Sequence, residues 1–390
     1  MILFIDVLKK RFGMRQMKIA FESAVLDDNN MGLETYARNL LESFSAMNKL
    51  DQIYTIHYKP QADGFYADKN EVLVPHYPFY LSKVFGIPAA IKKCNPDLVH
   101  FPVHRCDDFL SYFFNRNIKK VLTIHDLIPF FYNDKQGFQM THLWMPMLRI
   151  AHARNVRIIT VSENTRKDCE KYLHIPKEKI RVIHPGADPL FVPRKDKDTV
   201  KERVRVKTGI SGPFIFYTGS LLPRKNIRRL IEAFILIKRK NYPHKLVIGG
   251  NPKSCFEDVK EIINQEIIQK DVLFTGYLKK DDLVDMYNAA DLFVYPSLYE
   301  GFGSPPLEAM ACGTPVIVSN TSSLPEVVGD SGKLIDPYNT KDLAEVIEEL
   351  ILDEGYREEL SRKGFARSKL FTWERAGKET WKVYEEICQT

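Results

Sequence analysis

Two glutamates, Glu300 and Glu308, stand in the stretch "SLYEGFGSPPLEAMA" together with two glycines and two prolines. A carboxylate is an acceptor only, so a pair of them beside exposed backbone N–H donors matches the hydroxyls of a sugar or a ribose diol. Gly301 and Gly303 let the backbone approach such a ligand closely. Pro305 and Pro306 suit the first turn of a helix. Glu308 then falls in that first turn and Glu300 in the loop before it, just after the apolar run "LFVYP". Taken singly, Glu308 reads more simply as a helix cap and Glu300 as a solvated side chain.

A second segment, "YTGSLLPRKN" (217–226), points to an anion. A strand ends at Gly219, a short loop with Ser220 follows, and a helix begins near Asn226. Arg224 and Lys225 stand beside its N-terminus, where free N–H groups and the helix dipole favour negative charge. Both are expected to be exposed cations facing a ligand, although basic residues near a helix start are common. The chain has no GxxxxGK[ST] and no well-placed GxGxxG, which argues against a P-loop and a dinucleotide fingerprint.

These segments need a frame. Short β-branched and aromatic runs alternate with helical stretches: "KIAFES", "QIYTIHY", "DLVHF", "KKVLTIHD", "VRIITVS" and "IRVIH" in the first half, then "PFIFYTG", "KLVIGG", "VLFTG", "LFVYP" and "PVIVSN". In "NIRRLIEAFILIKR", Ile227, Leu230, Ile231, Phe234 and Ile237 share one helical face. Strands separated by helices imply parallel sheets covered on both faces, hence α/β. With 390 residues the chain exceeds one ordinary core, so two such doubly wound units are expected. The first is placed at 1–190 and the second at 191–371, opening with the charged stretch 193–209. The final stretch, 372–390, carries Trp373, Ala376, Thr380, Trp381, Tyr384 and Ile387 at helical spacing and is expected to cross back and complete the first unit.

Composition narrows the class. The net charge of +6 is uneven: residues 1–195 hold 28 Lys and Arg against 20 Asp and Glu, the remainder 28 against 30. A basic first half suits an anionic surface or acceptor, or simply a solvated face. The six cysteines are scattered without a CxxC pair, which argues for a reducing compartment and against a zinc or disulfide framework. No apolar run approaches the roughly 20 residues of a membrane span. The opening "MILFIDVLKKRFGMRQ" is a poor signal peptide, and the fold is expected to begin at Met17.

At this point the residues carry a resemblance. The segment "YPSLYEGFGSPPLEAMACGTPVIVSNTSSLPEVVGDSG" resembles the signature of the family-four retaining glycosyltransferases, which have the GT-B fold, and Glu300 and Glu308 meet its E-x7-E spacing. "VLTIHDLIP", "IITVSENTRKDCEKYL", "YTGSLLPRKN" and "FTGYL…DLVDMYNAADLFVYPS" agree in order, so the likeness runs from Met17 onward. It implies two Rossmann-like domains facing across a cleft that closes on the donor. Among bacterial members it is similar to polysaccharide mannosyltransferases.

The resemblance also implies roles. Arg224 and Lys225 would hold the donor diphosphate; Ser220 stands where many members have a further arginine. Glu300 would bind donor-sugar hydroxyls with the backbone of Phe302 and Gly303, and Glu308 the nucleotide ribose. Gly219, Gly301 and Leu307 belong to the same donor-side segments. His125 would face the reacting sugar from the first domain, so Glu300, His125, Arg224 and Lys225 form the implied catalytic set. Asp126 is either its supporting partner or structural. Gly32, the one glycine left in "DDNNMGLETYARNL", marks the phosphate or acceptor loop.

No cofactor is implied beyond the donor substrate, GDP-mannose first and UDP-sugars next. The cations at the helix start could stabilise the leaving diphosphate without a metal. Asp27, Asp28, Asp107, Asp108, His100 and His104 offer only a weaker alternative as metal ligands. With no dedicated nucleophile in view, same-face attack through an oxocarbenium-like state is favoured over a covalent intermediate. The expected acceptor is a glycan or lipid-linked saccharide of surface polysaccharide, with the enzyme in the cytoplasm, either free or at the inner face of the membrane. Aromatic and basic clusters at 76–86, 109–120 and 129–154 could dock on that membrane or simply pack. A nucleic-acid partner is not expected. Competing readings are a sugar-nucleotide epimerase or a phosphorylase of the same fold and a catalytically silent sugar-nucleotide binder; no pyridoxal-phosphate lysine segment supports the phosphorylase.

Overall fold

The computed structural model describes residues 16–27, 31–60, 70–75, 85–103, 117–132, 156–250, 256–265 and 268–389. Among these, thirteen strands form two wholly parallel sheets. The first comprises β1 (Ile19–Glu22), β2 (Ile53–His57), β3 (Glu71–Leu73), β4 (Leu98–Phe101), β5 (Lys119–Ile124), β6 (Val156–Thr160) and β7 (Ile180–Val182), in the order β3-β2-β1-β4-β5-β6-β7. The second comprises β8 (Phe214–Thr218), β9 (Lys245–Gly249), β10 (Val272–Gly276), β11 (Leu292–Tyr295), β12 (Val316–Ser319) and β13 (Lys333–Ile335), in the order β10-β9-β8-β11-β12-β13. Strand order therefore reverses between β1 and β4 and again between β8 and β11. Such reversals open a crevice at the carboxyl ends of the strands, where doubly wound folds bind ligands.

The eleven runs read as strands are all strands. The two that the sequence pattern does not announce, β3 and β13, are three-residue edge strands, whose one-sided pairing requires no continuous apolar run. Central strands are buried along their length, as in "LFVY" of β11 and "VIVS" of β12. The expected face of the Ile227–Lys238 helix, Ile227, Leu230, Ile231, Phe234 and Ile237, is buried. The charged stretch 193–209 is largely a helix, Lys197–Thr208, capped by Asp196 and ended by Gly209 at φ 72°. It docks through Val200 and Val204 and a two-bond ion pair of Arg203 with Asp285, at 2.7 and 2.6 Å.

The last helix, Trp373–Gln389, crosses back to the first lobe. It lies so close to the Met31–Ala46 helix that a Cβ on Gly377 would meet Ser43 Oγ at 2.1 Å. Trp381 packs on Phe44 with ring centroids 5.5 Å apart. His100 Nδ1 meets the Tyr384 hydroxyl at 2.5 Å, and Lys119 Nζ donates to the Ile387 carbonyl at 2.8 Å. His100, weighed above as a metal ligand, is buried between Tyr384 and Thr123. Asp27 accepts from the Tyr58 N–H at 2.8 Å. Asp28, His104, Asp107 and Asp108 lie outside the described residues, as does most of the aromatic and basic clusters at 76–86, 109–120 and 129–154. Among the described residues no helix is long and apolar enough to cross a membrane.

Candidate active site

The loop after β8 is shaped by two facing glycines. Gly219 has φ 148° and Gly250 φ 130°, and a Cβ on Gly250 would lie 2.0 Å from the Gly219 carbonyl oxygen. Only residues without a side chain allow these two strand ends to meet so closely. The Ser220 carbonyl accepts from the Tyr217 hydroxyl at 3.1 Å. A single turn, Pro223–Lys225, then leads to Asn226 in the left-handed region, and the helix begins at Ile227. The Asn226 side-chain amide donates to the carbonyls of Pro296 (3.1 Å) and Pro337 (2.8 Å), and the Leu298 N–H to that of Arg224 (2.7 Å). The basic turn is thus stitched to the loop after β11.

Across this seam Glu300 is buried, 8% exposed. Its Oε1 accepts from Lys225 Nζ at 2.5 Å and Ser297 Oγ at 2.6 Å, while Arg224 Nη1 lies 3.4 Å away and donates to the Tyr299 carbonyl at 3.2 Å. Lys225 Nζ also donates to the Tyr295 hydroxyl at 2.5 Å. Burial alone would raise the Glu300 carboxyl; Lys225 and Arg224 outweigh it and hold the carboxyl below its ordinary value. The expectation of two exposed cations is corrected at Lys225, which is only 7% exposed and serves as the internal counter-ion of Glu300. Arg224, with 17% of its side chain exposed, is the cation presented outward.

The rest of the "EGFGSPPLE" segment divides its duties. Gly301 does not merely permit a ligand's approach: a Cβ there would strike the His125 carbonyl oxygen at 2.3 Å, so the first lobe imposes the glycine. The Gly301 carbonyl accepts from Ser162 Oγ at 2.6 Å and Thr165 Oγ1 at 3.2 Å, both from the first lobe. Phe302 is buried against His184 and Phe371, with centroids 5.9 and 5.8 Å away. Gly303, at φ 117°, turns the chain into the Ser304–Ala311 helix. Leu307, placed with the donor-side residues, has its side chain in the core, and its N–H donates to the Gly303 carbonyl at 3.3 Å. Glu308 is partly buried, and its Oε2 accepts from the Tyr287 hydroxyl at 3.0 Å. Burial raises its carboxyl to about 7, opposed by the Tyr287 hydroxyl and assisted by the charge of Asp188.

The first lobe contributes His125 and Asp126 at the end of β5. His125 Nε2 donates to the Pro102 carbonyl at 2.8 Å, and its ring meets Tyr36 edge-on at 4.6 Å, which fixes its orientation. Asp126 Oδ1 accepts from the Ile128 N–H at 2.9 Å and so caps the short Ile128–Phe131 helix. Burial raises the Asp126 carboxyl, while His125 and Arg224 across the lobes pull it down. Asp126 is therefore structural through one oxygen and within electrostatic reach of Arg224 and Glu300. Gly32 is not in a loop: it lies in the first turn of the Met31–Ala46 helix, and a Cβ there would meet nothing within 4 Å.

Sequence reasoning does not single out the side chains that join the lobes. Glu326 accepts from the N–H groups of Glu163 (2.8 and 2.9 Å) and Asn164 (3.4 Å), capping the Glu163–Leu173 helix of the other lobe, and meets His184 Nε2 at 2.5 Å. The Tyr299 hydroxyl donates to Asp168. The one available signal for Glu326 is an acidic residue in the first turn of a short helix, Leu324–Val328. Tyr295 escapes because its partner Lys225 lies 70 residues earlier, whereas Ser297 bonds Glu300 only three residues on but reads as an ordinary loop serine.

Comparison with known proteins agrees with this fold. Residues 200–367 match the family model described as Glycosyl transferases group 1, and residues 31–191 match Glycosyltransferase Family 4. The O-antigen chain mannosyltransferase B of Escherichia coli is 34% identical over 232 residues, 58% of this chain and 60% of that protein. The sucrose-phosphate synthase of Thermosynechococcus elongatus superposes with a TM-score of 0.74 at 21% identity, over 95% of this chain and 99% of that one. Anabaena HepE in complex with UDP-glucose gives 0.72 at 19% identity, over 95% and 100%. With both halves matched and the two sheets arranged as in these structures, the chain belongs to the group 1, family 4 glycosyltransferases and has their GT-B fold.

Proposed function

We propose that the protein transfers a sugar, mannose first among candidates, from a nucleoside-diphosphate sugar to a growing glycan or lipid-linked saccharide of surface polysaccharide. The observation that carries this reading is the Glu300–Lys225–Arg224 constellation at the β8/β11 reversal, facing His125 and Asp126 of the other lobe. The mannosyltransferase relative supports mannose, hence GDP-mannose as donor. The fold neighbour holding UDP-glucose keeps UDP-sugars as the second choice.

Glycosyl transfer builds positive charge at the anomeric carbon and negative charge on the departing diphosphate. Arg224 faces outward and stabilises the diphosphate. The Lys225 ammonium has three N–H bonds, two of them directed at Glu300 and Tyr295, and offers the third to a phosphate oxygen. Held ionised by these cations, Glu300 accepts from donor-sugar hydroxyls and stabilises the oxocarbenium-like carbon. Attack comes from the face the diphosphate leaves, so the anomeric configuration is retained, and the cations take the place of a metal. Glu308 binds the ribose. A lipid-linked acceptor would put the reaction at the inner face of the cytoplasmic membrane, a growing glycan in the cytoplasm. The test is acceptor-free hydrolysis across GDP-mannose, UDP-glucose, UDP-galactose and UDP-N-acetylglucosamine. Slow release of one nucleoside diphosphate supports the reading; release from none refutes it.

A further inference from the structure

Two aromatic side chains flank the site and have no part in the reading above. Tyr338 follows β13, at the edge of the sheet opposite β10, and is 62% exposed. The Arg229 guanidinium lies 5.4 Å from its ring centroid and donates to Asn226 Oδ1 at 3.3 Å, while Asn226 bonds the Pro337 carbonyl. Tyr338 thus stands beside the turn that carries Arg224 and Lys225. Tyr132 comes from the first lobe. It follows Phe131, whose ring lies 5.1 Å from that of Tyr299, the residue before Glu300. It is partly buried and within electrostatic reach of Tyr338, Arg224 and Glu300.

The direction of the donor decides what these rings can meet. Glu308, assigned to the ribose, touches Tyr287 and senses Lys280, both on the Lys280–Ala289 helix that follows β10. Glu300, assigned to the sugar, is bonded to the Lys225 turn, and the next residue, Asn226, holds the Pro337 carbonyl beside Tyr338, so the sugar end of the donor lies at the Tyr338 edge. A pyranose ring has a flat face of C–H groups and a rim of hydroxyls. Tyrosine matches both, with an apolar ring face and a polar tip. Arg229 adds donors for hydroxyls at the same edge.

We propose that Tyr132 and Tyr338, one from each lobe, form an acceptor subsite that clasps a pyranose ring of the saccharide next to the carbon being transferred. The proposal rests on the glycosyltransferase reading, and its test is separable from it. Saturation-transfer NMR and titration with α-linked mannotriose, followed by gluco- and galacto-trisaccharides, are run on the full chain preloaded with nucleoside diphosphate. Saturation should pass to the ring C–H protons of one trisaccharide. Tyr132→Ala and Tyr338→Ala should each weaken its binding about three- to tenfold, whereas Tyr→Phe at either position should keep most of it. Circular dichroism confirms that the variants are folded. No saccharide binding by the wild type, or equal binding by the alanine variants, overturns the proposal. So does a rise in KM for the nucleotide sugar with saccharide affinity intact, since the rings would then belong to the donor. A wild type that releases no nucleoside diphosphate sinks the donor reading instead, while the titration still reports on the rings.

Discussion

Replacing Lys225 with methionine keeps the hydrocarbon of the side chain and removes the ammonium that neutralises Glu300. The carboxylate keeps the Ser297 hydroxyl at 2.6 Å and Arg224 at 3.4 Å, yet loses its nearest cation in a buried site. Breaking one partner of such a pair typically costs about 3–5 kcal/mol. Here the folded protein has an escape, because Glu300 can take up a proton. Protonating an ordinary carboxyl at pH 7 costs about 3.7 kcal/mol, at about 1.36 kcal/mol per pH unit above a glutamate value of about 4.3. That figure caps what the unpaired carboxyl itself can cost the variant. From this cost alone the expected deficit is about 3 kcal/mol at pH 7 and about 1 kcal/mol at pH 5.

The signs agree. In the wild type the folded carboxyl is depressed, so it contributes stability above the unfolded value that is lost as pH falls through the folded one. In Lys225→Met burial should raise the carboxyl, so its stability falls as pH rises. The gap between the two proteins must therefore widen with pH. Urea unfolding at pH 5, 6, 7 and 8 measures it, and Glu300→Gln on the Lys225→Met background should recover most of the loss. A gap that is under about 1 kcal/mol at pH 8, or equal at pH 5 and 8, would refute the buried-pair argument.

Glu300→Gln should lower kcat more than it raises KM, since its charge acts on the developing oxocarbenium, whereas Glu308→Gln should mainly raise the donor KM and weaken free nucleoside diphosphate. Titrating the diphosphate checks this: loss in Glu300→Gln with retention in Glu308→Gln reverses the assignment. Activity should survive excess EDTA, and loss restored by Mn²⁺ or Mg²⁺ would mean that the cationic turn does not stabilise the leaving group alone. Glu308, raised from 4.5 to about 7 in the folded state, binds more protons there than in the unfolded chain. It should therefore erode stability as pH rises from about 4.5 to 7, and unfolding midpoints of Glu308→Gln relative to wild type should rise over that window.

The α/β class, eleven of the thirteen described strands and the returning C-terminal helix were legible in the sequence, because buried parallel strands must be apolar on both faces and a helix must repeat its buried face every turn. The candidate site was legible as segments: "YTGSLLPRKN" and "YEGFGSPPLE" carry their charges and glycines in local order. What local order cannot hold is which group faces which. Lys225 read as an exposed cation because a sequence places it beside a helix start and does not show Glu300 2.5 Å away, 75 residues later. Gly301 read as room for a ligand, although the His125 carbonyl of the other lobe is what excludes a side chain. Glu326 is not singled out by the sequence at all, and only the juxtaposed lobes make it the cap of the Glu163–Leu173 helix. Burial and pairing between distant residues arise when the two sheets come together, so the charge state and accessibility of these groups belong to the tertiary structure alone.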